Sequence, residues 1–126
     1  MIHAIGIDIV EVGRIEDIIN RWGIAFIQRI YTQEEIDYCA CKARTSIHFA
    51  ARFAAKEAFM KCLGDDLRHG VTMRHIAVVN NRNGIPVLKF HQGLADRLAS
   101  RGIMTAHISI SHTDNYATAM VILEKT

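Results

Sequence analysis

The chain has 126 residues, half of them hydrophobic, with a single proline and a formal net charge of +2. That composition fits one globular domain with one core, read as spanning residues 1–126 without linker or tail. The small net charge excludes a general polyanion binder, so no nucleic-acid partner is expected, and any phosphate or acidic-partner site must come from local clustering.

Along the chain, His3 to Val10 alternates Ile5, Ile7 and Ile9 against Gly6, Asp8 and Val10, which predicts a strand with Asp8 on its less apolar face. Asp8 and Glu11 interrupt this apolar run, and no basic stretch precedes it, so neither a signal peptide nor a membrane span is expected and cytoplasm is the default compartment. Gly13 permits a turn. A helix is predicted from Arg14 to Trp22, with Ile15, Ile18, Ile19 and Trp22 on one side, broken by Gly23. Thr32 followed by Glu35 forms a capping-box pattern and predicts a short helix from Gln33 to Cys39. Cys39 and Cys41 are too close for an ordinary bridge and, with Cys62, read as reduced thiols; a zinc site built on the first two and His48 lacks a fourth ligand.

Thr45 or Ser46 is placed to cap a long helix running through Phe49, Phe53 and the segment RFAAKEAFMK, with Gly64 as a left-handed terminator. His75 to Asn80 and Pro86 to Phe90, joined by the turn-rich Asn81 to Gly84, read as a hairpin whose proline favours an edge. Leu94, Leu98 and Ala99 mark another helix ending near Gly102. A final hairpin pairs Ala106 to Ser111 with Tyr116 to Leu123 around His112 to Asn115. No internal repeat or low-complexity tract is present.

The chemistry concentrates on the long helix. Glu57 and Lys61 stand four residues apart and share a face with Ala50 and Ala54, small enough for close approach of a ligand; Phe49, Phe53 and Met60 form the adjoining apolar stripe. Asp8, from a separate strand, would supply the second oxygen ligand of a magnesium ion that also carries substrate phosphates. Basic clusters occur at Arg14, Arg21 and Arg29, and at Lys42 and Arg44. Taken singly, each feature has an ordinary structural reading: an exposed helix pair for Glu57 and Lys61, a strand-end turn for Asp8, a solvated helix face for Arg14 and Arg21, an ion pair for Arg52, a turn cap for His112.

Taken together and in order, GIDIVEVGRI, RFAAKEAFMKCLG, NGIPV and ISISHT resemble the holo-[acyl-carrier-protein] synthases, a branch of the 4'-phosphopantetheinyl transferases, over nearly the whole chain. The resemblance implies an α+β fold, the 4'-phosphopantetheinyl transferase fold, in which a small three-stranded antiparallel sheet packs against the long helix. The residue patterns alone give more strands: one early strand and two hairpins. It also implies transfer of 4'-phosphopantetheine from coenzyme A to a serine of apo-acyl carrier protein, in service of fatty acid synthesis. Asp8 and Glu57 match the family's magnesium ligands, with manganese as the alternative metal, and Lys61 matches its phosphate-contacting lysine. Either Glu57 or a water on the metal would take the serine proton.

Arg52, Lys61, Gly64, Ser111 and His112 fall on coenzyme-binding positions, Asn83, Gly84 and Pro86 on the loop near the adenine, while Lys42 and Arg44 would reach the 3'-phosphate. Small members are homotrimers with sites between subunits, and they dock the acidic carrier on the first helix, where Arg14 and Arg21 lie. The chain departs from the pattern at Ala25, where relatives often carry a basic residue, and over Thr72 to Ile76, which lacks an aromatic. Two other classes remain for comparison. A module binding an acidic helix through Arg14 and Arg21 would leave Asp8, Glu57 and Lys61 without a shared purpose. A magnesium-dependent nucleotide hydrolase would be expected to carry a glycine-rich phosphate loop, and neither common form is present.

Overall fold

The structure, a computed structural model describing residues 1–126, begins with β1 (Ile2–Glu11), followed by α1 (Val12–Trp22), α2 (Ile24–Ile30), α3 (Gln33–Ala40), α4 (Thr45–Lys61) and the single turn α5 (Asp65–Arg68). A short 3-10 turn (Met73–His75) leads into β2 (Ile76–Asn80) and β3 (Pro86–Phe90), and α6 (Leu94–Ser100) precedes the terminal strands β4 (Ile103–His112) and β5 (Tyr116–Lys125). Two antiparallel sheets result: a three-stranded one ordered β1-β5-β4 and a separate ribbon of β2 and β3. The three strands implied by the resemblance and the two hairpins read from residue patterns are thus both present.

The long helix α4 forms because alanine dominates its middle: Ala50, Ala51, Ala54, Ala55 and Ala58 all have high helix propensity, and all five are buried. Their small side chains bring the three-stranded sheet close, and its inner face presents Val10, Ala117, Ala119, Val121 and Leu123. Gly6 permits this approach, since a Cβ built there would lie 1.9 Å from the Ala58 carbonyl oxygen. Ala50 and Ala54 therefore make room for protein packing, and not for a ligand as the sequence suggested.

The capping box at α3 forms as predicted: the Thr32 N–H donates to Glu35 Oε1 at 2.9 Å, and Thr32 Oγ1 accepts from the Glu35 N–H. The structure gives this glutamate a second use. Glu35 is fully buried, accepts from the Val78 N–H at 2.9 Å and forms an ion pair with fully buried Lys56, whose Nζ also donates to the carbonyls of Ile30 (2.8 Å) and Met73 (3.0 Å). Burial lowers the Lys56 pKa and Glu35 opposes that shift. This network ties α2, α3, α4 and β2 into one unit.

Several expectations are corrected. Gly13, expected to turn the chain ahead of the first helix, lies inside α1, which begins at Val12 and ends before Gly23 as predicted. Trp22 is not part of the apolar stripe; it is 63% exposed, whereas Ile15 is buried. Arg44, not Thr45 or Ser46, occupies the N-cap of α4, with no side-chain cap. Gly64 is extended at φ −74 and opens α5, because α4 closes earlier through the Cys62 N–H to the Phe59 carbonyl (2.9 Å). In β1 the isoleucine face is the exposed one, while Gly6 and Val10 face the helix.

Candidate active site

The strand parity of β1 turns Asp8 inward beside Gly6 and Val10, and the helical period of α4 places Glu57 and Lys61 one turn apart. The two elements meet where Lys61 Nζ donates to the Ile7 carbonyl at 2.9 Å and to Asp8 Oδ1 at 3.1 Å. An ammonium has three N–H donors, so one remains for an oxygen outside the chain. The Asp8 side chain is 18% exposed and its backbone carbonyl accepts from Thr118 Oγ1 at 2.8 Å, which anchors this part of β1 to β5.

Asp8 and Glu57 line one cavity of about 240 Å³ together with Phe53, Ile18 and Arg14. Glu57 takes part in none of the side-chain hydrogen bonds or ion pairs within the chain, whereas Asp8 shares one oxygen with Lys61. No group of three or more His, Cys, Asp or Glu side chains is assembled to enclose a metal. Two carboxylates with free lone pairs facing one cavity fit magnesium, which keeps several sites for water and substrate phosphate and does not require an all-protein cage. The Phe53 of the predicted stripe forms part of this wall, while Phe49 and Met60 are core residues.

A second cluster lies toward the start of α4. Arg52 is 4% exposed, with its guanidinium carbon 4.0 Å from the Tyr38 ring centroid and its Nε lacking a hydrogen-bond partner. The ion pair proposed as its ordinary role is therefore absent. Lys42 Nζ also lies over Tyr38, at 4.5 Å, and His112 stands edge-on to His48 at 6.2 Å between centroids. Arg44 is instead paired with Asp114 at 2.7 Å, both exposed. Ser111 is exposed on β4, opposite Thr118.

Not every predicted site residue joins these clusters. Asn83, Gly84 and Pro86 occupy the β2–β3 hairpin, where the contacts are local: the Asn83 N–H donates to Asn81 Oδ1 at 2.9 Å, and no side-chain hydrogen bond or ion pair links them to either cluster. Gly64 is exposed just beyond Lys61. Arg14 lines the Asp8 and Glu57 cavity itself, while Arg21 lies farther along α1 beside Asp17, Ile18, Asn20 and Trp22. Trp22 also borders an apolar surface cavity of about 360 Å³ with Ala25, Phe26 and Arg29.

Sequence reasoning missed Tyr38 and His48. His48 is four residues before Arg52 on α4, a spacing that would have signalled a shared face; Tyr38 comes from α3 and had no such signal.

Residues 4–121 match the family described as ACPS, 4'-phosphopantetheinyl transferase superfamily. A relative from Koribacter versatilis, named holo-[acyl-carrier-protein] synthase, is 50% identical over 124 residues, covering 98% of this chain and 99% of its own length. The crystal structure of holo-[acyl-carrier-protein] synthase from Neisseria meningitidis superposes with a TM-score of 0.91 at 35% identity, covering 99% of this chain and 100% of that one. The Bacillus anthracis enzyme, solved in complex with coenzyme A (3',5'-ADP), gives a TM-score of 0.77 at 33% identity, over 100% of this chain and 99% of that one.

Proposed function

Because the chain belongs to the 4'-phosphopantetheinyl transferase superfamily, we propose that it transfers 4'-phosphopantetheine from coenzyme A to a serine hydroxyl of apo-acyl carrier protein. The new bond joins the serine oxygen to the phosphorus that carries pantetheine; the bond that breaks is that phosphorus to the bridging pyrophosphate oxygen, and adenosine 3',5'-bisphosphate leaves. The observation that carries this reading is the meeting of Asp8 and Glu57 at one cavity, with Lys61 held against Asp8.

Asp8 and Glu57 would hold magnesium, or manganese in its place. When bound, the metal supplies positive charge against the pyrophosphate. Lys61, oriented by the Ile7 carbonyl and Asp8, directs its remaining N–H toward a phosphate oxygen. Phe53 and Ile18 keep part of the cavity wall apolar. Glu57 is also a candidate to accept the serine proton, since it has no partner within the chain. Replacing Glu57 by Gln while following metal affinity and rate separately tests that role: retained metal binding with lost chemistry supports the glutamate base, and parallel losses support a ligand role alone.

Coenzyme phosphates are assigned to Arg52 and His112, with Ser111 next to His112 on β4, and to Lys61 with Gly64 just beyond it; Lys42 and Arg44 are assigned to the 3'-phosphate, and Asn83, Gly84 and Pro86 to the adenine end. Arg14 and Arg21, exposed on α1, attract an acidic carrier, and exposed Trp22 offers an apolar contact between them and α2. We assign a homotrimer with sites between subunits. Its support is the outer face of the three-stranded sheet, where Ile5, Ile7 and Ile9 are 57%, 56% and 66% exposed and run beside Ile122 and Met120, a contiguous apolar surface that a lone protomer rarely leaves open. The chain is assigned as one catalytic domain. No helix is long and apolar enough to cross a membrane, and cytoplasm is the proposed compartment.

The test is the intact mass of purified apo-acyl carrier protein after incubation with this protein, coenzyme A and magnesium. One phosphopantetheine added in the complete reaction, and lost with a chelator or with Asp8→Ala, is the expected result. Absence of added mass across several carriers, together with no coenzyme binding, would overturn the reading in favour of an acidic-helix binding module.

A further inference from the structure

The cluster around Tyr38 is unusual for its charge. Lys42 and Arg52 lie over the ring at 4.5 and 4.0 Å, His48 meets it edge-on at 5.7 Å between centroids, and His48 in turn meets His112 at 6.2 Å. These groups arrive from four places: Tyr38 from α3, Lys42 from the loop after it, His48 and Arg52 from α4, and His112 from the end of β4. None of Lys42, His48, Arg52 or His112 takes part in an ion pair. Two carboxylates close in sequence are engaged elsewhere: Asp114 pairs with Arg44, and Asp37 accepts from Gln33 Nε2 at 2.8 Å. Arg52 is almost completely buried and still has an Nε without a partner. Buried positive charge with an orphan donor calls for an anion from outside the chain.

We propose that His48 is a further binding residue for a phosphate of coenzyme A, engaging it in the protonated form, so that the coenzyme draws a proton onto this ring as it binds. The proposal rests on the coenzyme reading above. In the free protein, burial and then the positive charges of Arg52, His112 and Lys42 hold the His48 pKa below the ordinary histidine value. At neutral pH the ring is therefore mostly neutral. A phosphate placed among the same cations reverses the local sign and favours the imidazolium. The direction distinguishes His48 from the ligand's own titration: a phosphate monoester, with a second pKa of about 6, releases protons when it binds to cations, whereas His48 takes one up.

The experiment is calorimetric titration of the full-length protein with coenzyme A and magnesium, near neutral pH, in two buffers of different protonation enthalpy. Net proton uptake is expected, with affinity tightening roughly threefold or more between about pH 8 and pH 6.5. A parallel titration with 3'-dephospho-coenzyme A identifies the phosphate: uptake with coenzyme A alone assigns the 3'-phosphate, and uptake with both assigns the pyrophosphate. His48→Phe and His48→Gln should each still bind the coenzyme, more weakly at low pH, with the uptake gone. A residue that only packed against Tyr38 would not change the proton count. Binding by the parent with no uptake, or with uptake unchanged in both variants, overturns the role of His48 while leaving the coenzyme reading intact; no binding by the parent overturns both.

Discussion

Gly6→Ala is the sharpest test of how β1 and α4 build the site. A methyl group at this position would lie 1.9 Å from the Ala58 carbonyl oxygen, 2.9 Å from its carbonyl carbon and 3.0 Å from Cys62 Sγ. Ordinary carbon-to-oxygen contact begins near about 3.3 Å, so strand and helix must separate by roughly 1.4 Å. The obstacle is backbone, which no rotamer change relieves. Overpacking of this kind costs about 3 kcal/mol, at the upper end of its usual range, which for a domain of this size lowers Tm by roughly 10 °C. The same displacement would break the Lys61 contacts to Ile7 and Asp8, now 2.9 and 3.1 Å, and move Asp8 away from Glu57. Misplacing a reacting group by about 1 Å costs on the order of a hundredfold in rate.

Thermal melting and single-turnover carrier modification, followed by mass, measure the two effects. Gly13→Ala is the control, because nothing lies within 4 Å of a Cβ there and alanine favours the helix. A Gly6→Ala protein that melts with the parent and modifies carrier at the parental rate would refute the claim that this contact sets the site.

The buried network yields a second expectation: Lys56→Met alone, or Glu35→Gln alone, strands a fully buried partner and should cost about 3–5 kcal/mol in urea unfolding, with Lys56→Met/Glu35→Leu costing less than the two single losses added. Among the thiols, Cys39 and Cys62 are buried and pushed up to about 12 and about 11, whereas Cys41 is exposed; brief iodoacetamide treatment of the native protein should add one label, at Cys41, by peptide mass mapping. Acid stability provides the last. His48 has a lowered pKa in the fold, so the unfolded chain binds the extra proton first, and stability contributed by the neutral ring is present above the unfolded value of about 6.5 and declines as pH falls through it. Urea midpoints across that range should fall less steeply in His48→Phe than in the parent, and identical slopes would refute this.

Much of the architecture was readable because it depends on local periodicity. Strict alternation marked β1, the run through Phe49, Phe53 and RFAAKEAFMK marked α4, and Thr32 with Glu35 marked the start of α3 before any tertiary contact was known. Boundaries governed by distant groups were not readable. Gly64 resembled a helix terminator, but α4 closes before it and α5 begins there; Gly13 resembled a turn, but α1 already begins at Val12 and takes it in.

The candidate site divides in the same way. The sequence by itself determined that Glu57 and Lys61 share a helix face, because their spacing is a property of α4 alone, and it singled out Asp8 as a carboxylate at an odd place in an apolar strand. Only the tertiary structure decided that Asp8 faces them, since period two permits either face of β1 to turn inward. The decision follows from Gly6, whose missing side chain lets that face press against Ala58 and leaves Ile5, Ile7 and Ile9 outside. The gathering of Lys42, His48 and Arg52 around Tyr38, with His112 against His48, likewise joins α3, the loop after it, α4 and β4, and no spacing within one element encodes a meeting among them.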